Sequence, residues 1–333
     1  AGIFLVFVNY GFQGPFLGYP PRVVWLLIWL TVLFNLIETS FYALSMGVNR
    51  YSFLNRSLTF QSIALLVSTC LIPVFGLHLL PTVTLRVFGA SVFIAWFLVA
   101  FLKIIKFNKL AISLGILKSQ LRFGSKNWLQ NIIGFLNLRS YILFLAYFSD
   151  PDTVGFFSVA WIFVEVLRFF PDAIGTMLLP ELTKKGSYRD QVLFTTKAMR
   201  LLLVLTALIA TPVFLWINFS LPMIFGAEYI PSINTAKLLL IGSIFGVIYQ
   251  VCTRFFTSQD KQIYSLISGI IGLTAGLIGC ITLIPTHSAE GAAVAFIIST
   301  LCTAVFSLYF FCREARLTVL EVLRFRVTDF SVA

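Results

Sequence analysis

Residues 161–180 read WIFVEVLRFFPDAIGTMLLP, an apolar run that nevertheless carries Glu165, Arg168 and Asp172. A membrane-spanning helix needs about 20 mostly apolar residues, so this run is long enough to cross a bilayer. An ionisable side chain at the bilayer centre costs roughly 2.5–3.5 kcal/mol on insertion scales, and such residues usually mark function. In a helix the three charges share one face, where neighbours of opposite sign can neutralise each other. We expect that face to border protein or a hydrated cavity; a purely structural ion network is the alternative.

The composition of the whole chain identifies an integral membrane protein. The 333 residues are 59% hydrophobic and 11% charged, and the mean hydropathy is +0.95. Soluble domains carry about 25% charged residues. This chain has too few charges to cover the surface of a soluble protein while its 36 Phe residues are buried. The composition therefore excludes a soluble enzyme and a disordered chain.

Long apolar runs predict an all-α polytopic membrane protein. Nine full spans are expected near residues 23–46, 57–80, 86–106, 128–148, 155–180, 195–219, 234–257, 263–284 and 291–312. A shorter run at 2–18 is interrupted by Gly14 and Pro15, and we interpret it as the remnant of another span. The chain then begins inside a membrane segment, and further N-terminal sequence is expected upstream of Ala1.

Most of the 24 Lys and Arg residues fall in alternate connections between these spans, for example Lys103, Lys106 and Lys109 in one link and Lys184 and Lys185 in another. Positively charged short loops face the cytoplasm, so we expect that side and the C-terminus to be cytoplasmic. The net charge of +11 is then a topological signature that also suits anionic membrane lipids. Nucleic acid is not expected as a partner.

Two further spans carry polar stripes. Asn131 and Asn137 share one face of the span at 128–148, with Arg139 to its side, and Asn35 and Glu38 align in the span at 23–46. Together with residues 161–180, these stripes predict a hydrated interior shared by several helices. Polar side chains that only join helices, at about 0.6 kcal/mol each, are the alternative.

Other chemistries leave no signature in the sequence. The G-x-x-x-x-G-K-[ST] loop of nucleotide hydrolysis is absent. The five cysteines are scattered, with no C-x-x-C spacing and no histidine close by, which argues against a metal site. We therefore expect no cofactor and no enzymatic activity.

Several stretches, in order, resemble the polysaccharide flippase family of the multidrug/oligosaccharidyl-lipid/polysaccharide (MOP) exporter superfamily. They are RFGSKNWLQN at 122–131, LNLR at 136–139, TVGFFSVA at 153–160, PDAI at 171–174, IFGAEY at 224–229, LIP at 283–285 and EGAAVA at 290–295. The resemblance covers about 120–300. Upstream, GVNR at 47–50 is similar to the family's link between its fourth and fifth spans.

The resemblance implies a MATE-like transporter fold of two helix bundles around a central cavity, with the N-terminal bundle truncated. The implied divisions are a remnant of that bundle (1–107, a partial third to sixth span), a cytoplasmic amphipathic linker (108–127), a C-terminal six-helix bundle (128–312) and a basic cytoplasmic tail (313–333).

The function implied by the resemblance is flipping of a polyprenyl-diphosphate-linked oligosaccharide from the cytoplasmic to the outer leaflet of the bacterial inner membrane. Such movement, by alternating access, serves cell-surface polysaccharide synthesis, as in lipopolysaccharide O-antigen assembly. Other polysaccharide-assembly membrane proteins are the implied partners. The candidate substrate-binding residues are Arg139, Arg168, Glu165, Asp172, Asn137, Asn131, Asn35 and Glu38. Among them Arg139 and Arg168 are expected at the diphosphate, because a guanidinium fork matches phosphate oxygens.

One departure from the family concerns energy coupling. Many relatives carry an Asp where this chain has Tyr141. If that acid couples transport to an H⁺ or Na⁺ gradient in relatives, coupling here must rest on Glu38, Glu165 or Asp172. A multidrug exporter of the same superfamily, a polytopic glycan polymerase or ligase, and a non-transporting scaffold remain as alternative functions.

Overall fold

The computed structural model describes residues 29–30, 32–40, 55–57, 59–63, 66–67, 114–184 and 186–324. The predicted spans at 2–18 and 86–106, most of the span at 57–80, the first part of the linker and the end of the tail lie outside the described residues. The chain divides into two compact units, Ala1–Ala111 and Ile112–Ala333. All described secondary structure in both units is helical.

In the first unit, the described residues are helical at 29–30 and 32–40 and again at 55–57, 59–63 and 66–67. The Gln61 side-chain amide donates a hydrogen bond of 2.8 Å to Glu38 Oε1. The two helical stretches are therefore joined by a polar contact.

The second unit is a bundle of long helices. Its helices are α1 (Leu114–Phe148), α2 (Pro151–Lys184), α3 (Tyr188–Phe225), α4 (Ser232–Ser258) and α5 (Gln262–Ala315). All five are long and apolar enough to cross a membrane. Helix α4 is central, because it packs against α2, α3 and α5, whereas α1 packs mainly on α5.

Helix α5 consists of two antiparallel arms. A straight helix of its 54 residues would be about 80 Å long, far more than the roughly 30 Å of a bilayer core. The helical path breaks at Ser288 (φ 47°, ψ −122°), which separates a first arm, 262–287, from a second arm, 289–315. A Cβ on Gly272 of the first arm would lie 1.8 Å from Thr303 Oγ1 of the second. The five long helices of this unit therefore form six long helical segments.

The apolar core of the bundle is split into two clusters. One cluster contains Tyr141, Phe157, Trp161 and Phe296, and the other contains Leu182, Met199, Phe255 and Phe311. Each helix from α2 to α5 contributes residues to both clusters. Between the clusters, those helices present the polar residues described below.

The spans predicted for this unit match helices in the structure, with longer bounds. The predicted span at 155–180 lies within Pro151–Lys184, and that at 195–219 within Tyr188–Phe225. Residues 114–127 of the predicted linker are helical and continuous with the next span. Helical hydrogen bonds continue past the apolar segment, whereas hydropathy detects only the segment itself.

The predicted tail is folded against the bundle over its described part. A short helix, α6 (Val319–Leu323), begins with a capping box in which Thr318 and Glu321 satisfy each other's backbone N–H groups. Val322 is fully buried in the second core cluster. Arg200 of α3, also buried, donates from Nε to the Val322 carbonyl at 2.8 Å and from Nη2 to the Glu321 carbonyl.

The connections place the basic residues at one end of the bundle. The Lys261 ammonium pairs with the Glu314 carboxylate, and the Tyr188 hydroxyl donates to the Glu314 carbonyl at 2.9 Å. The start of α3, the α4–α5 link and the end of α5 therefore meet at what we call the basic end, which also carries Arg189 and Arg313.

Candidate functional site

A cavity of about 660 Å³ lies inside the second unit, between the two apolar core clusters. This volume falls in the range of ordinary small-molecule sites, roughly 300–1,000 Å³. Every one of α1 to α5 contributes to its wall. The lining mixes carboxamide, hydroxyl and guanidinium groups with aromatic and aliphatic side chains, so the cavity brings polar groups together within an otherwise apolar bundle.

The charged part of the cavity is built by α2 and α4. Arg168 Nη2 lies 3.9 Å from Asp172 Oδ2, one helical turn away on α2, and both side chains are partly exposed. The Gln250 amide of α4 donates a short hydrogen bond to Asp172 Oδ1. Asp172 therefore has a cationic neighbour and a neutral donor, which reduces the cost of placing a carboxylate here.

A second guanidinium reaches the same region from α4. Arg254 lies one turn after Gln250, and both side chains lie over Gly175 of α2. A Cβ built on that glycine would be 3.6 Å from Arg254 Nε and 3.7 Å from Gln250 Nε2. The small residue at 175 therefore leaves room for both side chains of α4 to lie over α2.

The opposite wall is formed by α1 and the two arms of α5. Asn137 Nδ2 donates to the Gly269 carbonyl at 3.2 Å, and Ser299 Oγ donates to Asn137 Oδ1 at 2.9 Å. Asn137 thus joins α1 to both arms of α5. Its role in this geometry is to hold the wall together, although it also lines the cavity.

Tyr141 belongs to the aromatic end of the cavity. Its side chain is buried and meets the Phe296 ring edge-to-face at 5.5 Å. Helix α1 contains no Asp or Glu, so α1 contributes no carboxylate to the site.

Three polar atoms of the cavity wall, Gln130 Oε1, Thr206 Oγ1 and Thr253 Oγ1, are buried without a hydrogen-bond partner among the described residues. Buried polar groups in native proteins are nearly always satisfied. A lining of this kind suits polar contents, either water or the polar part of a ligand.

The structure brings some of the sequence-predicted site residues together and separates others. Arg168, Asp172, Asn131 and Asn137 line the cavity. Glu165 and Arg139 are exposed and do not line it. Glu165 shares a helix face with Asp172 but lies about 10 Å further along α2, by the rise of an α-helix, where the aromatic core cluster closes the cavity.

The two predicted site residues of the first unit have local partners. Glu38 is half-buried and accepts the hydrogen bond from Gln61. Asn35 is exposed, and its carbonyl accepts from the Thr39 hydroxyl at 2.7 Å.

Sequence reasoning missed the contribution of α4. The cavity is also lined by Tyr249, Gln250 and Arg254 of this helix. In the sequence, the distribution of positive charges had placed Arg254 among the Lys and Arg residues of a cytoplasmic connection. The signal was present, since Ser243, Gln250 and Thr257 recur at helical spacing within an apolar run.

Among the described residues, no group of three or more His, Cys, Asp or Glu side chains lies together in a way that could hold a metal ion.

The fold of the chain is that of MOP-superfamily transporters. It is similar to the lipid II flippase MurJ in its inward closed conformation, with a TM-score of 0.68 and 12% identity over 93% of this chain and 69% of MurJ. The crystal structure of a MATE point mutant matches with a TM-score of 0.69 and 12% identity, over 85% of this chain and 66% of that protein.

An outward-facing multidrug resistance MATE family transporter of the MOP superfamily gives a TM-score of 0.64 and 13% identity, over 78% of this chain and 61% of that protein. The chain thus spans about two thirds of the length of these proteins. No protein-family model and no curated protein sequence matches it.

Proposed function

We propose that this protein moves a lipid-linked anionic substrate across the membrane by alternating access. The observation that carries the proposal is the cavity inside a MOP-type helical bundle, where the partly exposed Arg168 lines the wall. A polar, partly cationic chamber within membrane-spanning helices suits the charged part of a lipid whose tail stays in the bilayer.

The substrate we propose is a polyprenyl-diphosphate-linked oligosaccharide, taken from the cytoplasmic to the outer leaflet for cell-surface polysaccharide synthesis. Three features support it: the order of the flippase-like motifs, the guanidinium groups in the cavity and the carboxamide and hydroxyl groups that could bind sugar. In this proposal the basic end faces the cytoplasm of a bacterial inner membrane and meets anionic lipids.

Energy coupling in this proposal falls to Asp172, Glu38 or Glu165. Asp172 is the carboxylate that lines the cavity, while Glu38 has an amide partner in the first unit. Coupling to an H⁺ or Na⁺ gradient by Asp172 would make transport sensitive to Asp172→Asn.

The second candidate is export of organic cations, favoured by the likeness to two MATE proteins. A cation-binding cavity requires free carboxylates, whereas Asp172 already holds Arg168 and Gln250. A glycan polymerase or ligase needs an extramembrane catalytic region, and within 114–184 and 186–324 the connections between helices are only a few residues long.

The test is a leaflet-translocation assay in proteoliposomes with the full-length protein and a fluorescent polyprenyl-diphosphate-linked oligosaccharide. Loss of a charged hydrogen bond to substrate costs about 1.5–3 kcal/mol. Arg168→Ala should therefore slow translocation at least about tenfold, while Arg313→Ala, at the exposed basic end, should not. Equal rates for wild type and Arg168→Ala would remove Arg168 from the mechanism, and an inactive wild type would contradict the proposed substrate.

A further inference from the structure

The C-terminal helix α6 has one side packed on the bundle and one side exposed. Val322 is fully buried in the second core cluster, and Leu317 and Leu323 pack against the same cluster. In contrast, Leu320 is 81% exposed and Val319 is 46% exposed. Successive residues of a helix lie about 100° apart, so Leu320 lies about 160° from Val322 around the axis. Helix α6 therefore presents apolar side chains away from the bundle on which it packs.

The level of α6 along the bundle is set by Arg200 of α3. Three charged residues precede Arg200 in that helix, whereas the part that follows it, 201–225, contains no charged side chain. An uncharged apolar run of this length is what crosses the hydrocarbon core of a bilayer. Arg200, which donates to the carbonyls of Glu321 and Val322, therefore holds α6 level with the edge of the hydrocarbon core.

The charges around α6 suit an anionic lipid surface. An exposed arginine lies on either side of the helix, Arg316 before it and Arg324 after it. The acid of the helix, Glu321, caps it, since its carboxylate accepts from the backbone N–H and the hydroxyl of Thr318. Arginine can lay its aliphatic stem over apolar surface while its guanidinium stays among polar headgroups. Exposed apolar side chains flanked by basic residues are typical of a segment that lies in the membrane interface.

The exposed side of α6 fits a bilayer better than a second protein. Its apolar part consists of Val319 and Leu320, whereas a stable protein interface takes about 800 Å² from each partner. Helix α3 exposes Leu208 and Leu215 in the apolar part that begins after Arg200, as a helix in contact with lipid does. Acyl chains are therefore already present at the level that α6 reaches.

We propose that α6 anchors residues 316–324 to an anionic membrane surface, with Val319 and Leu320 inserted at the boundary between headgroups and acyl chains. Arg316 and Arg324 bind the phosphate groups of the surrounding lipids. The bundle holds α6 from one side through Arg200, and the leaflet at the basic end holds it from the other. The anchor does not depend on which substrate the protein moves, so a failure of translocation would leave it standing.

The first experiment identifies what covers the exposed side of α6. The photoreactive residue p-benzoylphenylalanine replaces Leu320 in the full chain, in nanodiscs of phosphatidylcholine and phosphatidylglycerol. The control position is Arg189, which is exposed and lies about 17 Å before Arg200 along α3, by the rise of an α-helix. We expect lipid adducts at position 320 by mass spectrometry, and loss of these adducts when the probe is at position 189.

Two results of that experiment would overturn the anchor. One is an equal yield of lipid adducts at positions 320 and 189. The other is a protein adduct at position 320, without a lipid adduct, when the same variant is illuminated in intact membranes. The second result would assign the exposed side of α6 to a protein partner.

The second experiment tests the arginines by amide hydrogen exchange at 319–323. Wild type should exchange at least about fivefold more slowly in nanodiscs that contain phosphatidylglycerol than in pure phosphatidylcholine. Arg324→Gln should reduce this lipid effect about fivefold, the contribution of one basic residue at an anionic surface. The matched control Arg189→Gln should keep the whole effect. Equal exchange of wild type in the two kinds of nanodisc would contradict the role of the arginines.

Leu320→Ser tests the apolar contact without disturbing the bundle. Because Leu320 is exposed in the protein, the melting temperature of this variant should match wild type. Exchange at 319–323 in nanodiscs should accelerate about tenfold, since burial of a leucine side chain is lost. Leu320→Trp keeps an apolar side chain of a type enriched at membrane interfaces and should retain slow exchange. Wild-type exchange in Leu320→Ser would show that α6 does not insert.

Discussion

The Ser299 hydroxyl donates a hydrogen bond of 2.9 Å to the Asn137 side-chain carbonyl, across 162 positions of sequence. The contact ties α1 to the second arm of α5, and the other end of the same carboxamide holds the first arm through the Gly269 carbonyl. One side chain thus fixes the relative positions of three spans at the cavity wall.

Asn137→Leu should therefore destabilise the bundle. Hydrogen bonds between membrane helices average about 0.6 kcal/mol and reach about 1.7 kcal/mol, and this substitution removes two of them. We expect a loss of about 1–3 kcal/mol on the same scale, measured as a lower melting temperature in detergent.

Asn131→Leu on the same helix is the control for that experiment. Asn131 is exposed, so its replacement should leave the melting temperature nearly unchanged. Equal melting temperatures for Asn137→Leu and Asn131→Leu would show that the two hydrogen bonds of Asn137 do not stabilise the bundle.

Gly272→Ala should separate the arms of α5. The added Cβ would lie 1.8 Å from Thr303 Oγ1 and 2.9 Å from the Ser299 carbonyl oxygen. Over-packing of this kind costs about 1–3 kcal/mol, which thermal unfolding in detergent would detect. Gly134→Ala, where nothing lies within 4 Å of the new Cβ, should be neutral or slightly stabilising. A stable Gly272→Ala protein would refute the close approach of the arms.

Arg200→Met should release the C-terminal helix α6. Arg200 donates to the carbonyls of Glu321 and Val322, and a buried carbonyl left without a donor costs about 1–3 kcal/mol. Amide hydrogen exchange at 319–323 should accelerate at least about tenfold, while exchange in α4 stays slow. Arg189→Met, at an exposed position, should not accelerate exchange, and protection retained in Arg200→Met would show that Val322 packing alone holds the helix.

The ion pair at the basic end predicts an alkaline loss of stability. The hydrogen bond to Glu314 raises the pKa of Lys261 above its ordinary 10.5. A lysine whose pKa is higher in the folded state adds stability below its ordinary pKa and loses it as pH rises through the raised value. The melting-temperature difference between wild type and Lys261→Met should therefore be constant near neutral pH and shrink above about pH 10.5.

Glu314→Gln provides the check on that pH dependence. The melting-temperature difference between Glu314→Gln and wild type should shrink over the same alkaline range. Deprotonation of Lys261 breaks the Lys261–Glu314 ion pair in wild type, and Glu314→Gln breaks the same pair by removing the carboxylate. A difference that persists when Lys261 is deprotonated would mean that packing, and not charge, links these residues.

The sequence by itself determined the membrane-spanning class, the approximate spans and the local charge pair. Spans are local in sequence, because each needs only about 20 apolar residues to satisfy the bilayer. The Arg168–Asp172 contact could likewise be predicted, since it depends only on the spacing of residues along one helix.

Only the tertiary structure decided which polar residues share a cavity. Helical periodicity assigns Glu165, Arg168 and Asp172 to one face of α2. It does not show how far the cavity extends along that face. Arg168 and Asp172 line the cavity, whereas Glu165 does not. Gln250, Arg254 and Ser299 come from other helices, and their approach depends on small residues such as Gly175 and Gly272 that let backbones and long side chains come close. Contacts between helices arise from packing in three dimensions, which no periodicity within a single span encodes.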